Sequence, residues 1–227
     1  MTRPLSRSRP QRAAKRAIDV VVALGVLGGL GPLMVLLAVA CRVSTGQSGV
    51  FSQARVGRNG KVFLVRKLRT MRTSGASTAT YAGDPRITRL GAVLRRAKLD
   101  ELPQAWNVLV GDMSLIGPRP DVPGFADQLV GDDRLLLEMR PGISGPATLL
   151  LREEETLLAQ VRDPEAHTRE VLWPFKVRVN LAYWRHATVL DDLRMILLTV
   201  REDSFRLNGM VQSWGVTDSE ISSVVKH

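Results

Sequence analysis

The sequence predicts an α+β fold that is predominantly helical, with a bent, re-entrant membrane helix near the N-terminus, cytoplasmic amphipathic helices and a small β-hairpin. Three observations predict it. An uncharged run of 22 residues, Val20 to Cys41, is interrupted by Gly31-Pro32. Two β-rich segments then flank an Asn-Gly turn, and several later stretches carry apolar residues at helical spacing. The predicted organisation is a basic segment at 1–16, the membrane helix at 17–43, a cytoplasmic domain at 44–206 and a tail at 207–227.

At 1.5 Å per residue, an unbroken helix over the apolar run would reach about 33 Å, just enough to span a bilayer core. Pro32 removes a backbone donor and clashes with the preceding turn, so a bend at Gly31-Pro32 is expected. Each arm is then about half a bilayer long. Basic residues lie on both sides, from Arg3 to Arg16 and from Arg42 to Arg72. Basic flanks resist translocation, so both ends are expected on the cytoplasmic side. A signal peptide would be shorter and free of a central Gly-Pro. Ala38 fits poorly three residues before the cysteine of a lipoprotein site, and a buried soluble helix would not need basic collars.

Phe51–Val56, the turn Gly57-Arg58-Asn59-Gly60 and Lys61–Val65 predict a hairpin, because Asn-Gly supplies the positive φ angles of a tight turn. Ser74–Thr80 is small and polar and reads as a loop. A helix is expected from Asp84-Pro85, with Ile87, Leu90, Leu94 and Ala97 on one face. A second is expected from near Asp100 to Gly111, with Leu102, Trp106 and Leu109 on one face. Prolines at 118, 120, 123 and 141 mark turns. Further helices are expected at Glu153–Gln160, Pro174–Trp184 and Val189–Arg201, and little periodicity follows Arg206.

With 44% hydrophobic residues among 227, the chain can bury a core and is not disordered. Thirty-two Lys and Arg against 22 Asp and Glu give a formal charge of +10, which attracts nucleic acid, anionic lipid or phosphorylated substrates. Cys41 is the only cysteine, which excludes an internal disulfide, and three scattered histidines argue against zinc.

The stretch Leu99-Asp100-Glu101-Leu102-Pro103-Gln104 carries the strongest chemical signal. Pro103 belongs to a first helical turn, so the two acids should stand at a helix start, where amides and macrodipole favour anions. One carboxylate could attack a phosphoryl group while the other holds a divalent cation. An N-cap and a first-turn acid, worth about 1 kcal/mol, explain the same two residues. The basic company favours chemistry: Lys67, Arg69 and Arg95 precede the acids, and Pro118-Arg119-Pro120 holds one arginine stiffly.

Six segments in order carry a resemblance: Lys15-Arg16 with Asp19, Gln53-x-Arg55-x-Gly57, Lys67-Leu68-Arg69-Thr70-Met71, the Asp100-Glu101 stretch with Asn107-Val108-Leu109 and Gly111-Asp112-Met113-Ser114, Ile116-Gly117-Pro118-Arg119-Pro120, and Arg140-Pro141-Gly142-Ile143-Ser144-Gly145. Over Lys15 to Thr199 the chain resembles the monotopic phosphoglycosyl transferases, or bacterial sugar transferases. The resemblance implies that the domain at 44–206 is catalytic. It implies transfer of a hexose-1-phosphate from a UDP-sugar to polyprenyl phosphate, through a covalent aspartyl phosphosugar on Asp100. It further implies Mg2+ on Glu101, Lys67 paired with the nucleophile, Arg69 and Arg95 at phosphate, and Pro118, Arg119 and Pro120 around the nucleotide. The re-entrant helix, the bacterial inner membrane and the role of initiating a glycan also follow from it. Gly31-Pro32 stands where the family often has Ser-Pro, Lys98 replaces a small hydroxyl residue, and Leu68 replaces phenylalanine. Without an added N-terminal bundle, the sequence reads as a minimal form.

Nucleic-acid binding would explain the charge but not the apolar run, and only 5% of residues are aromatic. A basic membrane-surface scaffold would explain both but has no use for the acid pair. The expected partners are therefore nucleotide sugar, polyprenyl phosphate and membrane lipid. A homo-oligomer is compatible with the sequence, which does not specify one, and neither the sugar nor the polyprenol length is legible.

Overall fold

A computed structural model describes residues 7–72, 84–200 and 203–225. The loop expected at Ser74–Thr80 lies outside these residues. The structure is mostly helical, with one long apolar N-terminal helix and two small two-stranded sheets.

Helix α1 runs from Arg9 to Thr45. Ser8 and Gln11 form a capping box at its start, and Gly46 ends it in a left-handed conformation. Pro32 lies inside this one continuous helix, so the two arms expected around it are joined. A proline disturbs only its own turn, and the apolar residues on either side keep their backbone pairing. The helix is long and apolar enough to cross a membrane, and its most apolar stretch is almost wholly uncovered by the rest of the protein.

Two stretches of α1 are covered. About four turns in, Ala23 packs in a cluster with Val65, Val108 and Met113. Near the end, Leu37, Ala38 and Cys41 pack with Leu68, Leu94 and Leu99. Between them Leu24, Leu30, Leu33, Val35 and Leu36 stand exposed.

Strands β1 (Val50–Val56) and β2 (Val62–Leu68) form the expected hairpin, in antiparallel register with Gln53 opposite Val65. Asn59 and Gly60 supply the positive φ values of its turn. Helix α2 covers Arg89–Arg96 and is capped by Thr88, whose hydroxyl accepts from Gly91 N. It starts later than expected from Asp84-Pro85. Asp84 is occupied by the Arg86 amide and guanidinium, and Ile87 bridges to Met71 in extended form.

The two acids sit on a 3-10 turn, Leu99–Glu101, and helix α3 begins afterwards at Gln104 and ends at Val110. The expected apolar face of α3 is corrected as well. Trp106 points outward beneath the Arg66 guanidinium, while Gln104, Ala105, Asn107 and Val108 are buried. Asn107 explains the rotation. Its side-chain amide donates to Leu64 O and its Oδ1 accepts from Arg66 N, pairing α3 with the open edge of β2.

Strands β3 (Ser114–Ile116) and β4 (Gly142–Ser144) form a parallel pair that the sequence did not signal. Helices α4 (Pro146–Leu150), α5 (Glu154–Gln160), α6 (Pro164–His167), α7 (Trp173–His186) and α8 (Val189–Val200) follow. The residues expected as a tail hold α9 (Ser204–Ser213) and α10 (Asp218–Val225). Leu207, Val211, Trp214 and Ile221 pack into the main core with Leu172, Val179, Tyr183 and Met195.

Gly49 lies where the chain leaves α1 for β1. A Cβ there would fall 1.8 Å from the Ala38 carbonyl oxygen, so only glycine lets β1 meet the helix. Gly49→Ala should lower stability by about 1–3 kcal/mol through overpacking. A thermal melt of the detergent-solubilised protein tests this, and an unchanged midpoint would contradict the contact.

Candidate active site

The acid pair owes its position to two breaks in helical geometry. Helix α2 ends at Arg96, and Lys98 then takes a left-handed conformation, φ 56°, before the 3-10 turn. That conformation is unfavourable for a residue with a Cβ, and here it redirects the chain so that Asp100 turns inward. Leu99 anchors the turn to the end of α1 through the Cys41, Leu68 and Leu94 cluster.

Glu101 is held by two cations. Lys67 Nζ, from β2, lies 2.9 Å from Oε1, and an Arg119 guanidinium nitrogen approaches the same oxygen at 3.4 Å. Burial alone would raise the Glu101 pKa, but Arg119 and Lys67 outweigh it and hold the carboxyl down at about 2. Glu101 is therefore ionised at neutral pH. Burial, reinforced by the Arg119 charge, pushes the Lys67 pKa down, against the pull of Glu101.

Asp100 lies in a different environment. It is 8% exposed, and its carboxylate accepts no hydrogen bond from any described residue. Burial and the Glu101 charge raise its pKa, while Lys67, Arg95 and Lys98 oppose the rise. A desolvated carboxylate without hydrogen bonds keeps its lone pairs available for attack, whereas its neighbour is fixed by salt bridges.

Arg119 is aimed by its flanks. Pro118 O accepts from Gly142 N, Gly117 N donates to Ser144 O, and Arg55 donates to Pro120 O. A Cβ on Gly142 would lie 2.2 Å from Gly117 N, so close strand approach at this point requires glycine. A narrow cleft beside Glu101 is lined by Gln53, Arg55, Lys67, Gln104, Arg119 and Pro120. Thus Lys67, Asp100, Glu101, Arg119 and Pro120 come together. Pro118 stands behind them, lining a separate recess with Asp121 and Leu137.

Arg95 acts on Asp100 through its charge and directs one guanidinium nitrogen to the Met71 sulfur at 3.5 Å. Arg69 points elsewhere. Its guanidinium donates to Ser48 O and stacks 5.2 Å from the Phe51 ring centre. Gly31 and Pro32 lie in the exposed middle of α1, away from the acids in sequence and burial.

Sequence reasoning passed over Asp121, whose carboxyl is raised to about 6 by burial, against the opposing charges of Lys176, Arg55 and Arg119. Its place one residue after Pro120 was the available signal. Arg55, quoted only as part of a motif, is the residue that braces Pro120.

Among the described residues no group of three or more His, Cys, Asp or Glu could hold a metal alone. The pair nevertheless suits magnesium, which takes one or two carboxylates and completes its shell with substrate phosphates and water. Both cations approach Oε1 of Glu101, and no described residue bonds to Oε2.

An ionised carboxylate clamped by cations beside a desolvated one, on a domain attached to an apolar helix, is an arrangement suited to phosphorylated substrates. The sequence profile of the bacterial sugar transferases matches residues 10–205, and the chain belongs to that family. It is 36% identical over 193 residues to the UDP-glucose:undecaprenyl-phosphate glucose-1-phosphate transferase of Caulobacter vibrioides, covering 82% of this chain and 68% of that protein. It is 35% identical over 210 residues to the exopolysaccharide production protein PSS of Rhizobium leguminosarum bv. phaseoli, covering 86% and 97%. The Escherichia coli K12 UDP-glucose:undecaprenyl-phosphate glucose-1-phosphate transferase is 33% identical over 195 residues, covering 83% of this chain and 40% of that protein.

The depressed Glu101 pKa has a measurable consequence. Its contribution to stability is present above pH 4.5 and is lost as pH falls towards about 2. Lys67→Met removes one cation and should raise the Glu101 pKa. Stability at pH 7 then falls, and less remains to be lost on acidification. Denaturant unfolding between pH 2 and 7 measures both, and identical pH profiles for the two proteins would refute the assignment.

Proposed function

We propose that the protein transfers a sugar-1-phosphate from a UDP-sugar to undecaprenyl phosphate on the cytoplasmic face of the bacterial inner membrane, initiating exopolysaccharide or related glycan assembly. The observation that carries this reading is the contrast within the acid pair: Glu101 ionised between Lys67 and Arg119, and Asp100 desolvated, with no hydrogen bond from any described residue. The names of the relatives from Caulobacter vibrioides and Escherichia coli supply the substrate classes.

In the first step an Asp100 carboxylate oxygen attacks the β-phosphorus of the donor. The bond from that phosphorus to the bridging oxygen breaks, and UMP leaves with the oxygen. An aspartyl phosphosugar remains. In the second step an oxygen of the lipid phosphate attacks the same phosphorus and the Asp100 carboxylate is released, yielding a lipid diphosphosugar. Lys67, Arg119 and Arg95 supply positive charge around the phosphates. Arg55 and the paired strands β3 and β4 hold Arg119 in place. Glu101 would hold Mg2+, which when bound neutralises phosphate oxygens.

The seating of α1 supports a re-entrant helix. Its N-terminal part docks through Lys15, Arg16 and Asp19 and its last turns through Leu37, Ala38 and Cys41, while its most apolar stretch is bare. A helix crossing the bilayer would put its ends on opposite faces, about 30 Å apart across hydrocarbon. A helix that dips and returns keeps both docked ends on one face. It also brings the Leu99 turn, and with it Asp100, to the membrane surface where a lipid phosphate arrives.

Asp100→Asn should abolish UMP release from a panel of UDP-sugars while leaving membrane association unchanged; turnover by the variant would remove Asp100 as nucleophile. Glu101→Gln should shift the magnesium titration to higher concentration, and an unaltered titration would exclude it as the ligand. For α1, reporter tags at both termini should be accessible from the same side of sealed vesicles, and labelling from opposite sides would establish a span.

A further inference from the structure

A second concavity, of about 390 Å3, shares no lining residue with the cleft beside Glu101. The first turns of α1 wall it on one side, Ser114, Ile116 and Gly117 on another, and Met139, Arg140, Tyr183 and Trp184 close it. Six cations line it, Arg7, Arg12, Lys15, Arg16, Arg58 and Arg140, against only Asp19 and Glu138.

Most of those cations are held without being neutralised. Lys15 donates to Ile116 O, Arg16 to Val108 O and Leu109 O, and Arg140 to Gly111 O, all of them uncharged acceptors. Arg7 and Lys15 are the exceptions: Arg7 is paired with Asp192, and Lys15 also lies 3.3 Å from that carboxylate. Asp19 spends Oδ1 on Ser114 and Leu115 N. The side chains of Arg12 and Arg58 have no hydrogen-bond partner among the described residues, and both residues are exposed. Burial, together with the charges of Arg58 and Arg16, pushes the Arg140 pKa down against the opposing charge of Asp19.

The depth of the cavity says where that counter-ion comes from. Along α1 its lining stops at Asp19, and the exposed apolar side chains begin at Val21. The segment from Arg12 to Asp19 rises about 10 Å, comparable to the polar layer of one bilayer leaflet. Trp184, half-buried at the cavity wall, adds the amphipathic aromatic surface that suits this level, with the buried Tyr183 behind it.

We propose that this cavity binds the phosphodiester headgroup of an anionic phospholipid, as a site separate from the catalytic cleft. Arg12 and Arg58 contact the phosphate, and the headgroup is enclosed between Met139 and Trp184. The site rests on the seating of α1 at a membrane surface and not on the chemistry of Asp100.

The test uses the full chain in a neutral detergent, titrated with dioctanoyl phosphatidylglycerol or dioctanoyl phosphatidylcholine and read by thermal shift and by intrinsic Trp fluorescence. Phosphatidylglycerol should bind and raise the melting midpoint, and phosphatidylcholine should not. Arg12→Gln combined with Arg58→Gln should weaken binding roughly 10- to 30-fold, at about 1 kcal/mol per arginine. Both side chains are exposed and unpartnered, so the fold should survive. The pair Arg12→Lys and Arg58→Lys should restore most of the affinity, and Asp100→Asn should bind like the parent. Equal response to both lipids, or undiminished binding by the double Gln variant, would overturn the proposal. Inorganic phosphate or UMP saturating the site at the same concentration as the lipid would assign it to a soluble anion instead. Flotation on neutral vesicles separates the two ideas: loss of flotation refutes the seating, whereas flotation without phosphatidylglycerol preference refutes only the headgroup site.

Discussion

The Arg16 guanidinium at the end of α3 is the contact on which the rest of the structure depends. The last carbonyls of a helix have no internal partner, and Arg16 donates to two of them, Val108 O and Leu109 O. A cation there also complements the negative end of the helix dipole. One side chain thus fixes α1 against α3. Gly111 closes α3 in a left-handed turn and Asn107 ties it to β2, so the hairpin carrying Lys67 is referred to the same helix. The acid pair stands one turn before α3, and its geometry derives from that junction.

The division of labour between adjacent carboxylates follows from what surrounds each. Both are withdrawn from water, and burial raises the pKa of both. Only Glu101 meets two cations close enough to reverse the effect. Successive residues on a tight turn point in different directions, which lets neighbours in sequence occupy such unlike environments. The left-handed Lys98 makes that turn available.

Much of the fold was legible because periodicity reports burial directly. The hairpin, α7, α8 and the apolar α1 all follow from patterns within a dozen or so residues. The misreadings share one cause, a tertiary contact overriding a local signal. Asp84-Pro85 has the chemistry of a helix start, yet Ile87 is drawn into an extended bridge with Met71. Trp106 belongs to an apolar stripe by spacing, but Asn107 bonding to β2 rotates it outward. The strands β3 and β4 are three residues each and 28 positions apart by first residue, too short and too distant for any pattern. At the site, residue types and order identified Lys67, Asp100, Glu101 and Arg119. The outward turn of Arg69 and the raised carboxyl of Asp121 were not legible, because both depend on neighbours from distant segments.

The anchoring of α1 bears on the order in which the protein can assemble. Its first turns reach residues made much later, with Lys15 bonded 101 positions away and Arg7 bonded 185 positions away. At about 5–20 residues per second, Arg7 waits roughly 10–40 s on the ribosome before its carboxylate partner exists. Contacts of such high sequence separation form late in folding, since the intervening chain must first be closed. A helix such as α1, whose backbone pairing is all local, forms well within the interval. The helix is therefore made first, and the domain closes on a template that already exists, much as a keystone arch is raised on its centring.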